Sequence, residues 1–133
     1  MVQRQVSFEE AVKRGFANYC CFTGRSSRSE YWWWALFTTI LGIAVTVVFS
    51  IIAAIAHSAA ILTVGTFVSY AISLGLFLPG LGLAVRRLHD TGRSGWFILL
   101  SLIPLVGAII LIVWFCQAST PVANQYGEVP NME

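Results

Sequence analysis

Two short polar segments contain the residues of this sequence that could do chemistry. Residues 23–32 read Thr-Gly-Arg-Ser-Ser-Arg-Ser-Glu-Tyr-Trp, and residues 86–96 read Arg-Arg-Leu-His-Asp-Thr-Gly-Arg-Ser-Gly-Trp. The candidate site residues are Arg25, Arg28, Glu30, Arg86, Arg87, His89, Asp90 and Arg93. Arginine forks bind carboxylates and phosphates through two parallel hydrogen bonds. The segments therefore predict a cluster that forms ion pairs or binds an anionic headgroup.

The charged cluster has two interpretations, which can both apply. In the structural one, Arg86 and Arg87 favour the C-terminal end of a helix, Glu30 favours an N-terminal end, and arginine pairing with Glu30 or Asp90 clamps the loops. In the functional one, the surplus arginines and the free N–H groups at helix starts bind an anionic lipid headgroup or a phosphate.

The neighbouring residues His89 and Asp90 suggest catalysis, because an aspartate can orient a histidine that acts as a general base. Adjacent residues on one helix or turn point in different directions, which argues against such a pair. The sequence also contains no nucleophile motif, no carboxylate cluster for a metal and no glycine-rich phosphate loop. We therefore predict a protein without enzymatic activity, cofactor or metal site.

The elements that position these segments are predicted to be membrane helices. Only 11% of the residues are charged, 57% are hydrophobic and the mean hydropathy is +0.76, too apolar for a soluble domain. No charged residue lies between Glu30 and Arg86. Because about 20 apolar residues cross a bilayer, we predict transmembrane helices over residues 31–56, 61–85 and 96–116.

A shorter helix is predicted before the first span. Ser7 and Glu10 form a capping box, and apolar residues then recur at helical spacing at Phe8, Val12, Phe16 and Tyr19. Residues 7–22 should therefore form an amphipathic helix on the inner membrane surface or against the bundle. With a tail over residues 117–133, the predicted fold is a single all-α membrane domain, residues 1–133, in which this helix precedes three transmembrane helices.

Small residues predict where the first two spans pack. Gly42, Thr46, Ser50 and Ala54 recur every four residues in the first span, and Ala71 and Gly75 form a shorter set in the second. Small side chains let helix backbones approach closely in a membrane. We therefore expect these six residues, called the small-residue strips below, to lie at the contact between the two helices.

Basic residues predict the orientation. All 8 Lys and Arg residues precede the first span or lie between the second and third. Basic loops stay in the cytoplasm, so the N-terminus should be cytoplasmic and the tail periplasmic. Topology alone explains the net charge of +2, and no nucleic-acid partner is expected. The expected partners are the lipid bilayer, with anionic lipids a candidate, and other membrane proteins or further copies of the chain.

The polar segments also carry a family resemblance. The residues that carry it are Gly24, Arg25, Arg28, Glu30, Tyr31, the run Arg86 to Asp90, Ser94 to Trp96, and the tail run Asn124-Gln125-Tyr126-Gly127. This pattern resembles the domain-of-unknown-function 805 family of small bacterial inner-membrane proteins, and the match extends from Phe16 to Pro130. The resemblance implies a cell inner membrane location and a protein without an assigned activity.

Three functions are compatible with these observations. The first is a non-enzymatic membrane module that binds lipids or proteins through the cytoplasmic arginine cluster. The second is an oligomeric transporter or channel subunit, because three helices enclose little volume on their own. The third is a membrane enzyme that acts on a lipid-linked phosphate through His89 and the arginines. The sequence favours the first.

Overall fold

The described part of the chain, residues 3–131 of a computed structural model, consists of helices joined by short loops. The elements are α1 (Phe8–Ala17), α2 (Arg28–Ala56), α3 (Ala59–Asp90), a 3-10 helix (Gly95–Leu102) and α4 (Val106–Phe115). The predicted all-α class is confirmed.

Helices α2 and α3 form a long antiparallel hairpin. At 1.5 Å per residue their 29 and 32 residues extend about 43 and 48 Å, enough to cross a hydrocarbon core of about 30 Å. Only 6% of the most apolar stretch of each helix is buried, as expected for side chains that face lipid. The turn between them is formed by His57 in the left-handed region and Ser58. Two helices are therefore long and apolar enough to span a membrane.

The third apolar segment is not one continuous helix. The 3-10 helix ends at Leu102, Ile103 is extended, and Leu105 has a positive φ of 63° before α4 begins. Pro104 explains the break, since proline lacks an N–H group and disfavours the helical conformation of the residue before it. The 8 residues before the break and the 10 after it each extend only about 15 Å. The predicted single helix over residues 96–116 is thus replaced by two short helices.

These two short helices fold back on each other. A Cβ atom at Gly107 would lie only 1.6 Å from the carbonyl oxygen of Leu100, so the chain can turn this tightly only because Gly107 has no side chain. At the far end of α4, the carbonyl of Phe115 accepts a hydrogen bond of 3.1 Å from the Trp32 indole at the start of α2. The segment therefore returns to the end of the bundle from which it started.

The tail consequently lies at the same end of the bundle as the N-terminal segment. The Arg4 backbone N–H donates to the carbonyl of Asn131 at 2.8 Å, and Gln3 donates to the Ser119 hydroxyl at 2.8 Å. This differs from the predicted placement of the tail on the side opposite to the N-terminus. The physical reason is the break at Pro104, which turns the apolar segment back along the bundle.

Helix α1 packs on the start of α2. Its N-cap is Ser7, whose hydroxyl accepts from the Glu10 N–H, and it ends at Ala17, short of the predicted residue 22. A Cβ atom at Gly15 would lie 2.3 Å from the Trp34 ring, and the Phe16 ring packs edge-on against the same indole at 5.3 Å. The large buried Trp34 thus fixes α1 against the bundle.

The small-residue strips are not buried between α2 and α3. All six of their residues are exposed. A Cβ atom at Gly42 or Gly75 would have nothing within 4 Å, whereas one at Gly65 would lie 2.7 Å from the Cβ and Cγ atoms of Phe49. Gly42 and Thr46 line an open cavity of about 690 Å³ between α2, α3 and the 3-10 helix. Gly65 against Phe49 is therefore a close contact between the two helices, whereas Gly42 and Gly75 make no such contact.

The two glycines make a matched test of this packing. We expect Gly65→Ala to destabilise the protein by about 1–3 kcal/mol, because the new methyl group overlaps Phe49 in a packed contact. Gly42→Ala should change stability by less than about 0.5 kcal/mol, because the methyl group enters open space. Unfolding of the purified variants in one detergent measures both. Equal effects of the two substitutions would contradict the packing described here.

Candidate functional site

A buried carboxylate lies at the centre of the candidate site. Asp90, the last residue of α3, is fully buried. Its Oδ1 accepts from Arg25 Nε at 3.0 Å and its Oδ2 from Arg87 Nη1 at 2.7 Å, and the Ser119 hydroxyl also donates to Oδ2. The side chains of Arg25 and Arg87 are 1% and 0% exposed. Removing any member would leave a charge without its partner in a dry site, which is costly.

Arg25 connects this carboxylate to the tail. Its two terminal nitrogens donate to the carbonyl oxygens of Thr120 at 2.7 Å, Val122 at 3.0 Å and Gly127 at 3.2 Å. The Thr120 N–H in turn donates to the Asp90 carbonyl at 2.9 Å. One guanidinium thus satisfies several backbone acceptors of an otherwise irregular segment, and this holds the tail in place.

Two arginines cap the C-terminal end of α4. Arg87 donates to the carbonyls of Phe115, at 3.3 and 3.4 Å, and Gln117, while Arg28 Nη1 donates to the carbonyl of Cys116 at 3.1 Å. The last carbonyls of a helix lack partners within the helix and carry partial negative charge, so cations are favourable there. The carbonyl groups at the end of α4 therefore accept hydrogen bonds from Arg87 and Arg28.

Arg86 is buried on the other side of α3. Its Nε donates to the Ser26 hydroxyl at 2.9 Å and its Nη1 to the carbonyl of Cys21, while its Nη2 has no hydrogen-bond partner in the described part of the chain. In the described part of the chain, the guanidinium within 4.0 Å of the buried Glu30 is that of Arg14 in α1, at 3.9 Å, and Arg86 interacts with Glu30 electrostatically from farther away. The predicted pairing of Glu30 with arginines of the two polar segments is therefore not formed within 4.0 Å among the described residues.

His89 is oriented by backbone and tail, and not by Asp90. Its Nδ1 lies 3.0 Å from the carbonyl oxygen of Gly24, and its ring stacks on Tyr126 at 4.0 Å and 3°. Asn124 donates to the His89 carbonyl at 3.0 Å. The Asp90 oxygens bind Arg25, Arg87 and Ser119 instead. The residues are thus arranged for structural contacts, and the histidine–aspartate orientation of a general base is not formed.

Arg28 is exposed and Arg93 is half-buried. Within the described part of the chain no carboxylate lies within 4.0 Å of either guanidinium. Arg93 lies 4.4 Å above the Trp114 ring and donates to the side-chain oxygen of Gln117 at 2.8 Å. Arg28 is exposed next to the Cys116 carbonyl. The two cations therefore flank the end of α4.

A second ionic cluster joins α1 to the end of the tail. Glu10 accepts from Arg4 at 2.6 and 2.7 Å and from Arg14 at 2.7 Å, and Arg14 also donates to Asn131. The hydrogen bond from Arg4 is the main cause that lowers the pKa of Glu10 to about 2. Sequence reasoning missed this cluster, since none of its members lies in the two polar segments.

Sequence reasoning also missed the tail contacts of Ser119, Asn124 and Tyr126. A signal for two of them was present, because Asn124 and Tyr126 lie in the tail run Asn-Gln-Tyr-Gly that carries part of the family resemblance. Asn124 accepts from the Tyr126 N–H at 2.8 Å, which shapes the turn that presents the tyrosine ring to His89. Ser119 carried no such signal. In the described residues no three His, Cys, Asp or Glu side chains group as metal ligands would.

Known proteins resemble this chain over most of its length. Residues 19–128 match the family model described as "Protein of unknown function (DUF805)". This chain belongs to the DUF805 family. "Inner membrane protein YhaI" of Escherichia coli K12 is 39% identical over 113 residues, which cover 85% of this chain and 88% of that protein. "Inner membrane protein YhaH" of the same strain is 40% identical over 125 residues, covering 87% and 92%.

No solved structure matches this DUF805 chain. The match to the family model includes both polar segments and the Asn-Gln-Tyr-Gly run of the tail, which are the parts that Asp90, Arg25 and His89 bring together. The family description assigns no activity, and the relatives' names state only a membrane location.

Loss of the central carboxylate charge should be far more damaging than loss of an exposed one. We expect Asp90→Asn to destabilise the protein by about 3 kcal/mol, because it leaves Arg25 and Arg87 buried without an anion. Glu9→Gln is the matched control, since it removes a carboxylate from the exposed Glu9–Lys13 pair. Unfolding in detergent measures the difference, and a near-equal effect of the two changes would contradict the role given to Asp90.

Proposed function

We propose that this DUF805 protein is a non-enzymatic inner-membrane module that binds anionic lipid headgroups at the arginine end of the bundle. The observation that supports the proposal is that the arginines differ in whether a carboxylate lies next to them. Asp90 neutralises part of the charge of Arg25 and Arg87, while Arg28 and Arg93 have no carboxylate within 4.0 Å in the described residues. These two cations supply the attraction for a phosphate.

The surroundings of Arg28 and Arg93 support a headgroup site. Trp32 and Trp114 lie next to the same end of α4, and tryptophan is enriched where a protein meets the membrane–water interface. The carbonyls of α4 and the Trp114 ring already orient the two guanidinium groups, so less side-chain entropy is lost when an anion binds. A phosphate at this level would meet two pre-positioned arginine forks.

We further propose that the arginine end is cytoplasmic and that the segment from Gly95 to Phe115 is a re-entrant hairpin. Every Lys and Arg of the sequence lies in a segment placed at this end or next to it, and basic segments stay in the cytoplasm. Two short helices of about 15 Å each reach about halfway into the hydrocarbon core and return. The chain then crosses twice, and both termini are cytoplasmic.

Cysteine labelling in cells tests this topology. In a chain whose native cysteines are replaced by serine, we expect Ala123→Cys in the tail to resist a membrane-impermeant maleimide added from outside, and to react after the inner membrane is permeabilised. His57→Cys, in the turn between α2 and α3, is the control and should react from outside. Labelling of both positions from outside would overturn the re-entrant hairpin and support the three-span prediction.

Lipid analysis tests the headgroup site. We expect Arg28→Gln and Arg93→Gln each to lower the amount of copurified phosphatidylglycerol about fivefold, since one cation near the surface contributes about 1 kcal/mol. Lys13→Gln on α1 is the control with the same charge change and should have little effect, because Lys13 pairs with Glu9. Thermal unfolding of each variant checks the fold. Unchanged lipid content in both arginine variants would contradict the proposal.

A further inference from the structure

His89 is fixed on one side of its ring and unpartnered on the other. Since a carbonyl oxygen can only accept, the contact between Nδ1 and the Gly24 carbonyl requires the proton on Nδ1. In this tautomer of an uncharged imidazole, the lone pair lies on Nε2. In the described part of the chain Nε2 makes no hydrogen bond, although the residue is only 8% exposed. Nε2 is thus an accessible acceptor that a donor from outside the chain can reach.

Nε2 faces a cavity of about 440 Å³ between α3, the loop after α1 and the start of the 3-10 helix. Gly95 lines this cavity, and a Cβ atom there would lie 3.3 Å from Nε2, so the missing side chain leaves the approach open. The other polar side chain, Ser94, already accepts from the Trp96 N–H at 3.3 Å. The apolar wall consists of Phe22, Leu81, Val85, Trp96 and Ile98.

The position of the cavity indicates an amphipathic ligand from the membrane. It lies at the arginine end of α3, and Trp96 at its rim is 79% exposed, as expected for an indole at the headgroup level. An apolar wall with one hydrogen-bond acceptor suits a molecule that is mostly apolar and presents a hydroxyl group. A lipid whose headgroup carries a hydroxyl meets both conditions, because its acyl chains are apolar and its headgroup can donate a hydrogen bond.

We propose that this cavity binds an anionic lipid, with an acyl chain against its apolar wall and a headgroup hydroxyl donating to His89 Nε2. The inference rests on the proposed function, because Arg28 and Arg93 attract anionic lipids to this face. It adds selectivity: the arginines recognise the charge of the lipid, and His89 recognises its hydroxyl group.

Two short-chain lipids of equal charge separate these roles. Dioctanoyl phosphatidylglycerol carries headgroup hydroxyls, and dioctanoyl phosphatidylmethanol lacks them. We expect the full-length chain, in an uncharged detergent, to bind the first about fivefold more tightly, as one net hydrogen bond predicts. In His89→Asn, whose amide reaches only the position of Nδ1, the two lipids should bind equally. Arg28→Gln should weaken both and keep their ratio.

A second variant controls for misfolding caused by the substitution of His89. Leu81→Trp fills the apolar part of the cavity while His89 stays in place, and it should also abolish the preference. Equal binding of the two lipids by the native chain, or a preference that survives in both variants, would overturn the cavity assignment and leave the proposed function standing. Failure of the native chain to bind either lipid would contradict the proposed function and this inference together.

Discussion

The ion pairs of Asp90 are the interaction on which the rest of this structure depends. The carboxylate joins the loop before α2 through Arg25, the end of α3 through Arg87 and the tail through Ser119. Burying three charged groups costs much free energy unless each is paired and hydrogen-bonded. Here the arginines also donate hydrogen bonds to backbone carbonyls. The polar segments and the tail therefore form one unit at the end of an otherwise apolar bundle.

The path of the third apolar segment and the charges of the cluster depend on each other. Because the chain turns back at Pro104, the last carbonyls of α4 reach Arg28 and Arg87. A continuous helix would carry these acceptors to the opposite end of the bundle and leave the guanidinium groups without them. The same return brings Trp114 under Arg93, so that Arg28 and Arg93 lie together beside the end of α4. The turn of the chain at Pro104 thus underlies both the fold and the proposed lipid binding.

The sequence predicted the elements that depend on local chemistry. The capping serine of α1 and the charge-free stretches of α2 and α3 are visible because capping and hydropathy act over a few residues. Hydropathy reports how apolar a segment is and not the course of its backbone. It therefore could not distinguish one continuous helix from a segment that is broken at Pro104 and folded back at Gly107. Likewise, Arg14 near Glu30 and Tyr126 on His89 are tertiary contacts between distant segments, which charge and motif counts do not reveal.

A double-mutant cycle between Arg25 and Asp90 tests the central claim most directly, because it isolates their interaction from the cost of each change alone. Unfolding in detergent is measured for the native protein, Arg25→Gln, Asp90→Asn and the double variant. If Asp90 organises the cluster, the double variant should be destabilised by clearly less than the sum of the single changes, with a coupling above about 1 kcal/mol. Additive effects would contradict the account.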